Sequence, residues 1–227
     1  NENDKFVCLT VRDSCYQKKK FSSRDTDLSH HNFRNYDIND FVLGAEELTK
    51  RGYYVFRMGV AVEKRINTNN SKVIDYPFSQ YKSDFMDIYL GAKCSFCIST
   101  GTGYDEVPYA FGKHIAFLVL PVGEFRTHSE KFLLLTKHHY LINEKRKLSL
   151  SEIFSHGLAY TFDSNDFKKK GIELIDYTPE EIKEFILEMT EIFENKVAKN
   201  QKIGKLQLDF RKSYESNLKN LNFEESK

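Results

Sequence analysis

With 227 residues, 40% hydrophobic and 30% charged, and only 4 Pro and 11 Gly, the chain is long enough for a substantial core and too ordered in composition for a disordered or collagen-like protein. A formal net charge of +1 excludes a global field that would recruit nucleic acid or an anionic membrane, so any anion site has to be local. The longest apolar run, IAFLVL from Ile115, is strand-sized and well short of the roughly 18 residues of a spanning helix, and the expectation is a soluble cytoplasmic protein.

In chain order, FVCLTV (Phe6 to Val11) reads as a buried strand and YYVFRM (Tyr53 to Met58) as a second. Between them DINDFVLGAEELTKRG places Phe41, Val42, Ala45 and Leu48 at helical spacing, with Gly52 as the stop. Strand, helix, strand implies parallel pairing through a right-handed crossover. The pattern repeats: KVIDY near Val73 is a short strand, and SDFMDIYLGAK is a helix with Ser83 as N-cap and Asp84 and Asp87 in its first turns. CSFCIS, YDEVPYAFG and HIAFLVL then read as strand, short helix and strand.

After Pro121 the signal weakens. KFLLLT and GIELIDY are short strand candidates, and LSLSEIF opens a short helix near Ser149 or Ser151. TPEEIKEFILEMTEIFENKV is the clearest helix, with Thr178 as N-cap, Pro179 at the first helical position and Glu181 completing a capping box. The expected fold is α/β, a Rossmann-like doubly wound parallel sheet with helices on both faces. It spans residues 1–200 and is followed by a partly frayed C-terminal helical tail over 201–227.

In such sheets ligands bind outside the carboxyl ends of the strands. The first strand ends in Arg12 and Asp13, followed by a polar loop of about 25 residues, unusual in a compact domain and more often functional than idle. The planar fork of Arg12 suits a phosphate, and an ion pair with Asp13 suits it equally. Arg57 and Gly59 end the second strand. Ser99, Thr100, Gly101, Thr102 and Gly103 form a small-residue loop between strand and helix, where glycines at positive φ, hydroxyls and a helix N-terminus can seat a phosphate. The same residues also suit the tight turn any such junction needs. Asp105 and Glu106 sit poorly beside phosphate and either cap the helix or accept hydroxyls from a sugar.

Other chemistry has little support. The loop is neither GxGxxG nor a Walker loop, and GxSxG is absent. Cys94 and Cys97 lack a second CxxC pair or a histidine at zinc-finger spacing; they and Cys8 and Cys15 read as reduced thiols. Three-residue spacing on a strand would also point Cys94 and Cys97 to opposite faces. Asp25 to Asp27 (DTD) lies in a polar run rather than after an apolar strand, a poor context for a metal site. The pairs His30, His31 and His138, His139 and the runs KKKF and FKKKG read as surface features.

Taken together, VCLTVRDSCY, the HNFRNY to VFRMG stretch, SDFMDIYLGAKCSFCISTGTGYDEVPYAFGKHIAFLVLPVG and LSLSEIF resemble a family of bacterial surface-carbohydrate glycosyltransferases over roughly residues 5 to 155. More distantly, they are similar to the nucleotide-sugar half of GT-B fucosyltransferases. The resemblance implies the C-terminal half of a GT-B enzyme that takes a nucleotide diphosphate sugar as donor, uses no cofactor or metal, and passes the sugar to a glycan or lipid-linked glycan acceptor. It implies donor contacts from Arg12, Arg57, Ser99, Thr100, Gly101, Thr102, Gly103 and Glu106, a catalytic role for Arg12 with Asp13, and less defined roles for Arg34, Asn35 and Asp84. It further implies an N-terminal partner domain outside this chain and work at the inner face of the cytoplasmic membrane, reached through other segments. A sugar-nucleotide epimerase and a non-catalytic binding module are the alternatives.

Overall fold

The computed structural model describes residues 4–20, 29–118, 121–125, 129–194 and 201–224, so the DTD stretch lies outside the described residues. The chain runs β1 (Phe6–Thr10), α1 (Cys15–Lys20), α2 (Val42–Lys50), β2 (Tyr54–Arg57), β3 (Val73–Asp75), α3 (Asp84–Lys93), β4 (Phe96–Ser99), α4 (Glu106–Ala110), β5 (His114–Leu118) and β6 (Phe132–Leu135). It continues through β7 (His138–Leu141), β8 (Arg146–Lys147), α5 (Leu150–Ser155), α6 (Ser164–Lys169), β9 (Ile172–Ile175), α7 (Pro179–Phe193) and α8 (Gln201–Glu224). The first six strands form one parallel sheet in the order β3-β2-β1-β4-β5-β6.

Strand periodicity sends alternate side chains to opposite faces, and both faces are covered, as a doubly wound sheet requires. Val7, Leu9, Val55, Phe96, Ile98 and Ala116 pack against Phe41, Ala45 and Leu48 and against Ile182, Ile186 and Met189 of α7. On the other face Cys8, Cys97, Ile115 and Phe117 meet Leu90 of α3 and Tyr104. α2 and α7 approach so closely that a Cβ on Gly44 would sit 2.4 Å from the Ile186 side chain. A side chain there would have to displace the Ile186 methyl.

The expected caps form. Ser83 Oγ accepts the Met86 amide, and both Ser149 and Thr178 complete capping boxes with Glu152 and Glu181. The loop after β1 is not structureless: α1 lies in it, and a 3-10 turn, Ser29–Arg34, closes it. Cys94 and Cys97 share one cluster rather than opposite faces, because Cys94 is the C-cap of α3 and lies before β4.

A second lobe follows β6. β7 pairs antiparallel with β8 and β9, so GIELIDY supplies an edge of a small separate sheet in the order β8-β7-β9. Its core joins Phe154, Leu158, Phe167 and Ile172 to Tyr214 of α8. The C-terminal helix is therefore anchored: Tyr214 is buried, donates to the Gly123 carbonyl at 2.9 Å, and stacks on Phe125. Among the described residues, no helix is long and apolar enough to cross a membrane.

Candidate functional site

The sheet order reverses between β1 and β4. From β1 the chain winds out through β2 to β3, and from β4 it winds the other way to β5 and β6, so the two sets of crossovers part and leave a crevice beyond the carboxyl ends of the central strands. A cleft of about 410 Å³ occupies that position. Thr10, Arg12 and Asp13 line one side, Thr102, Gly103 and Tyr104 the other, and the loop after β2, Met58 to Val62, closes the rim.

Arg12 is held by its backbone. Its amide donates to Thr100 Oγ1 at 2.7 Å, and its carbonyl accepts from the Tyr36 amide at 3.0 Å. The side chain is half-buried and its Nε is buried with no hydrogen-bond partner among the described residues. Desolvation and the neighbouring Arg34 charge lower its pKa, while Asp13 opposes them. A half-buried guanidinium within electrostatic reach of a second one, with a buried donor unfilled among the described residues, is an arrangement that an anion stabilises.

Asp13 has a bracing job. Its Oδ1 accepts the Cys15 amide at 2.9 Å and its Oδ2 the Glu63 amide at 2.8 Å, which ties the start of α1 to the loop after β2. It borders the cleft with both oxygens engaged.

The small-residue loop differs from the expected cradle. The Thr100 amide donates to the Thr10 carbonyl, the Gly101 amide to Ser99 Oγ, and the Thr102 amide to Asp105 Oδ2. Ser99 Oγ donates to the same Asp105 oxygen, and the Thr10 and Thr102 hydroxyls meet at 3.0 Å. Three successive amides are thus satisfied by the protein itself, one by β1 and two within the junction, and Ser99 and Thr100 are buried. Only Thr102 and Gly103 of the five reach the cleft. Gly101 takes the positive φ expected of it, 76°, whereas Gly103 begins a 3-10 turn without one. The helix that follows is only five residues long, so its dipole adds little at the cleft. Asp105 is the buried clasp of the loop, and the exposed Glu106 opens α4 away from the cleft lining.

Arg57 also departs from expectation. It is 1% exposed, does not line the cleft, and pairs with Asp75 at 2.9 Å across the β2–β3 register. Asp75 Oδ2 in turn accepts the Ile66 amide. The pair fastens the edge strand. Asp84 stands exposed in the first turn of α3, outside the cleft.

Arg34 lies at the end of the 3-10 turn within electrostatic reach of Arg12 and of His31. Asn35 follows it, with its carbonyl accepting Lys137 Nζ at 2.7 Å and its buried Oδ1 without a hydrogen-bond partner among the described residues. Lys137 was not singled out in the sequence, although a lysine closing the run FLLLTK is its one local signal. It is 5% exposed, pairs with Asp176 at 2.6 Å and lies 4.2 Å over the Tyr36 ring. Burial lowers its pKa and Asp176 opposes the shift. Tyr16 and Tyr104 are among the other cleft residues missed, hidden in a polar loop and an apparent helix.

No family model matches the chain, and comparison with curated proteins and with solved structures gives no match. Among the described residues, no three His, Cys, Asp or Glu side chains converge as a metal site.

Proposed function

We propose that this chain is the nucleotide-sugar-binding half of a metal-independent glycosyltransferase, holding the diphosphate of a donor sugar whose acceptor is a surface glycan. The observation that carries this reading is the half-buried Arg12, with an unfilled Nε, beside a cleft at the β1/β4 switch point. Arg34 adds positive charge, Thr102 and Gly103 offer a hydroxyl and a side-chain-free approach, and Tyr16 offers an aromatic face for a base or sugar. As the glycosidic bond breaks, negative charge grows on the leaving diphosphate, so a fixed guanidinium stabilises the transition state more than the ground state. Work at the inner membrane face, through a partner domain, belongs to the same proposal.

A second reading, a non-catalytic binding module, draws on Asp13: it is the one carboxylate lining the cleft, and both its oxygens already accept amides. No ready base for an acceptor hydroxyl is visible there among the described residues.

Thermal-shift titration with GDP and UDP tests the proposal. Saturation at 100 times Kd adds about 2.7 kcal/mol of stability. One nucleotide is expected to shift the transition, and Arg12→Ala to weaken its binding roughly 10-fold or more, the value of one charge-assisted contact. No shift with either nucleotide, or equal affinity in Arg12→Ala, overturns the assignment. Sugar transfer or isomerisation of the bound sugar nucleotide separates transferase and epimerase from module.

A further inference from the structure

The second lobe carries a depression of about 470 Å³, lined by His30, His31, Tyr160, Phe162, Asp163 and Asp166 and flanked by two lysines. Its floor is built to a pattern. Leu158, Ala159 and Thr161 point inward, and Thr161 is held by its amide to the Leu158 carbonyl and its hydroxyl to the Gly157 carbonyl. The alternate residues Tyr160 and Phe162 are therefore pushed outward, 47% and 44% exposed.

Tyr160 is not loose. A Cβ on Gly123 would lie 2.6 Å from its ring carbons, so the ring rests directly on the Gly123 backbone, which Tyr214 holds from behind. A glycine at 123 makes room for a flat, preset ring with its outer face in the depression. Around it stand groups that hydrogen-bond in a plane. The His30 and His31 rings lie 4.0 Å apart, and His31 Nδ1 is buried without a hydrogen-bond partner among the described residues. Asp163 caps α6 through the Asn165 amide and Asp166 pairs with Lys169, which fixes both carboxylates at the rim. Lys170 is engaged too, donating to the His156 and Gly157 carbonyls, so it closes α5 instead of reaching for an anion.

We infer that this depression binds a pyranose ring of a neutral glycan. The seated Tyr160 ring and the exposed Phe162 ring offer stacking to the C–H face of a sugar, and imidazoles and carboxylates accept its hydroxyls. Two carboxylates and two lysines balance in charge, Asp166 pairing with Lys169 while Asp163 and Lys170 are engaged by backbone groups, which suits a neutral ligand better than a phosphate or an acidic sugar. His31 also lies within electrostatic reach of Arg12 and Arg34, so the depression adjoins the cationic side of the nucleotide cleft. The name acceptor subsite rests on the glycosyltransferase reading; the sugar binding itself does not.

The test is saturation-transfer NMR and titration with cellotetraose, a neutral pyranose chain, on the full chain, with GDP and UDP thermal shifts measured on the same samples. Wild type should bind the tetrasaccharide, Tyr160→Ala with Phe162→Ala should weaken it about 10-fold or more, and Tyr160→Phe should retain it. The nucleotide shift should be the same in all three variants, which also shows that they fold. No binding of cellotetraose by wild type, or equal binding by the double alanine variant, overturns the inference. Sugar binding without any nucleotide shift keeps the depression and sinks the nucleotide reading; a nucleotide shift without sugar binding does the reverse.

Discussion

The parallel sheet and the second lobe are held together differently. In the sheet, carbon fills most of the interior: Val7, Leu9, Val55, Phe96 and Ile98 are fully buried, and among the buried polar groups there Arg57 and Asp105 each sit against a specific partner, although the Arg57 Nε has no hydrogen-bond partner among the described residues. Where the lobe meets the sheet the interior is polar. Arg12, His31, Asn35, Tyr36, Thr136, His138 and His139 each bury an atom with no hydrogen-bond partner among the described residues. Buried groups left unfilled raise free energy unless water or ligand reaches them. The sheet therefore acts as frame, and the seam is where a ligand or a proton has most to change. Each of the following measurements presses on that contrast.

Arg57 carries the largest expected effect, because it is the frame's one deeply buried cation among the described residues. Replacing it with Met leaves the largely buried Asp75 with the Ile66 amide but without its counter-ion, and breaking a buried pair in this way costs up to about 3–5 kcal/mol. Urea denaturation should show the loss, with nucleotide affinity of the folded fraction unchanged. A loss below about 1 kcal/mol would deny Arg57 its fastening role, since even a surface pair reaches that range.

His139 tests the seam. It is 1% exposed, with Nδ1 at 2.9 Å from the Lys137 carbonyl and its ring against Phe167. Burial pushes its pKa down to about 4, and the neighbouring His138 adds to the shift. Below about pH 6.5 the unfolded chain takes up a proton that the folded one refuses, so stability is present above that pH and is lost as pH falls toward 4. The expected loss is at most on the order of 3 kcal/mol. His31, His114 and His138 shift the same way, each chiefly by burial. His139→Phe should start less stable, with the Lys137 carbonyl unpaired, and fall less steeply with acid. An unchanged slope would remove His139 from the account.

The frame was the legible part. Apolar runs, helical spacing and caps at Ser83, Ser149 and Thr178 are local signals, and the elements they mark are present. Period-two reading could also have turned Arg57 inward, since it lies two residues after the buried Val55. Its partner Asp75 could not be read that way, because their pairing depends on the β2–β3 register. β7 was missed because HHYL carries two histidines and no apolar run, and what makes it a strand is its pairing with β8 and, more than thirty residues on, with β9. At the cleft, Arg12 was visible as a strand-end residue and Thr102 as part of the small-residue loop. The internal use of the loop amides was not, because it follows from Asp105 turning inward.

Asp105 gives the smallest and most discriminating change. Its Oδ2 accepts both the Ser99 hydroxyl and the Thr102 amide, and the side chain is 3% exposed. Asparagine keeps the size and one acceptor but sets an NH₂ where an oxygen stood, so one of the two donors faces a donor. The expected loss is about 1–2 kcal/mol, the lower part of the range for a buried group left unsatisfied. If the clasp exists to hold Thr102 and Gly103 at the cleft, Asp105→Asn should weaken nucleotide binding while leaving cellotetraose binding in the second lobe as it was. Equal weakening of both would mean that the loop supports the whole crevice region, and the division between rigid frame and responsive seam would have to be redrawn at β4.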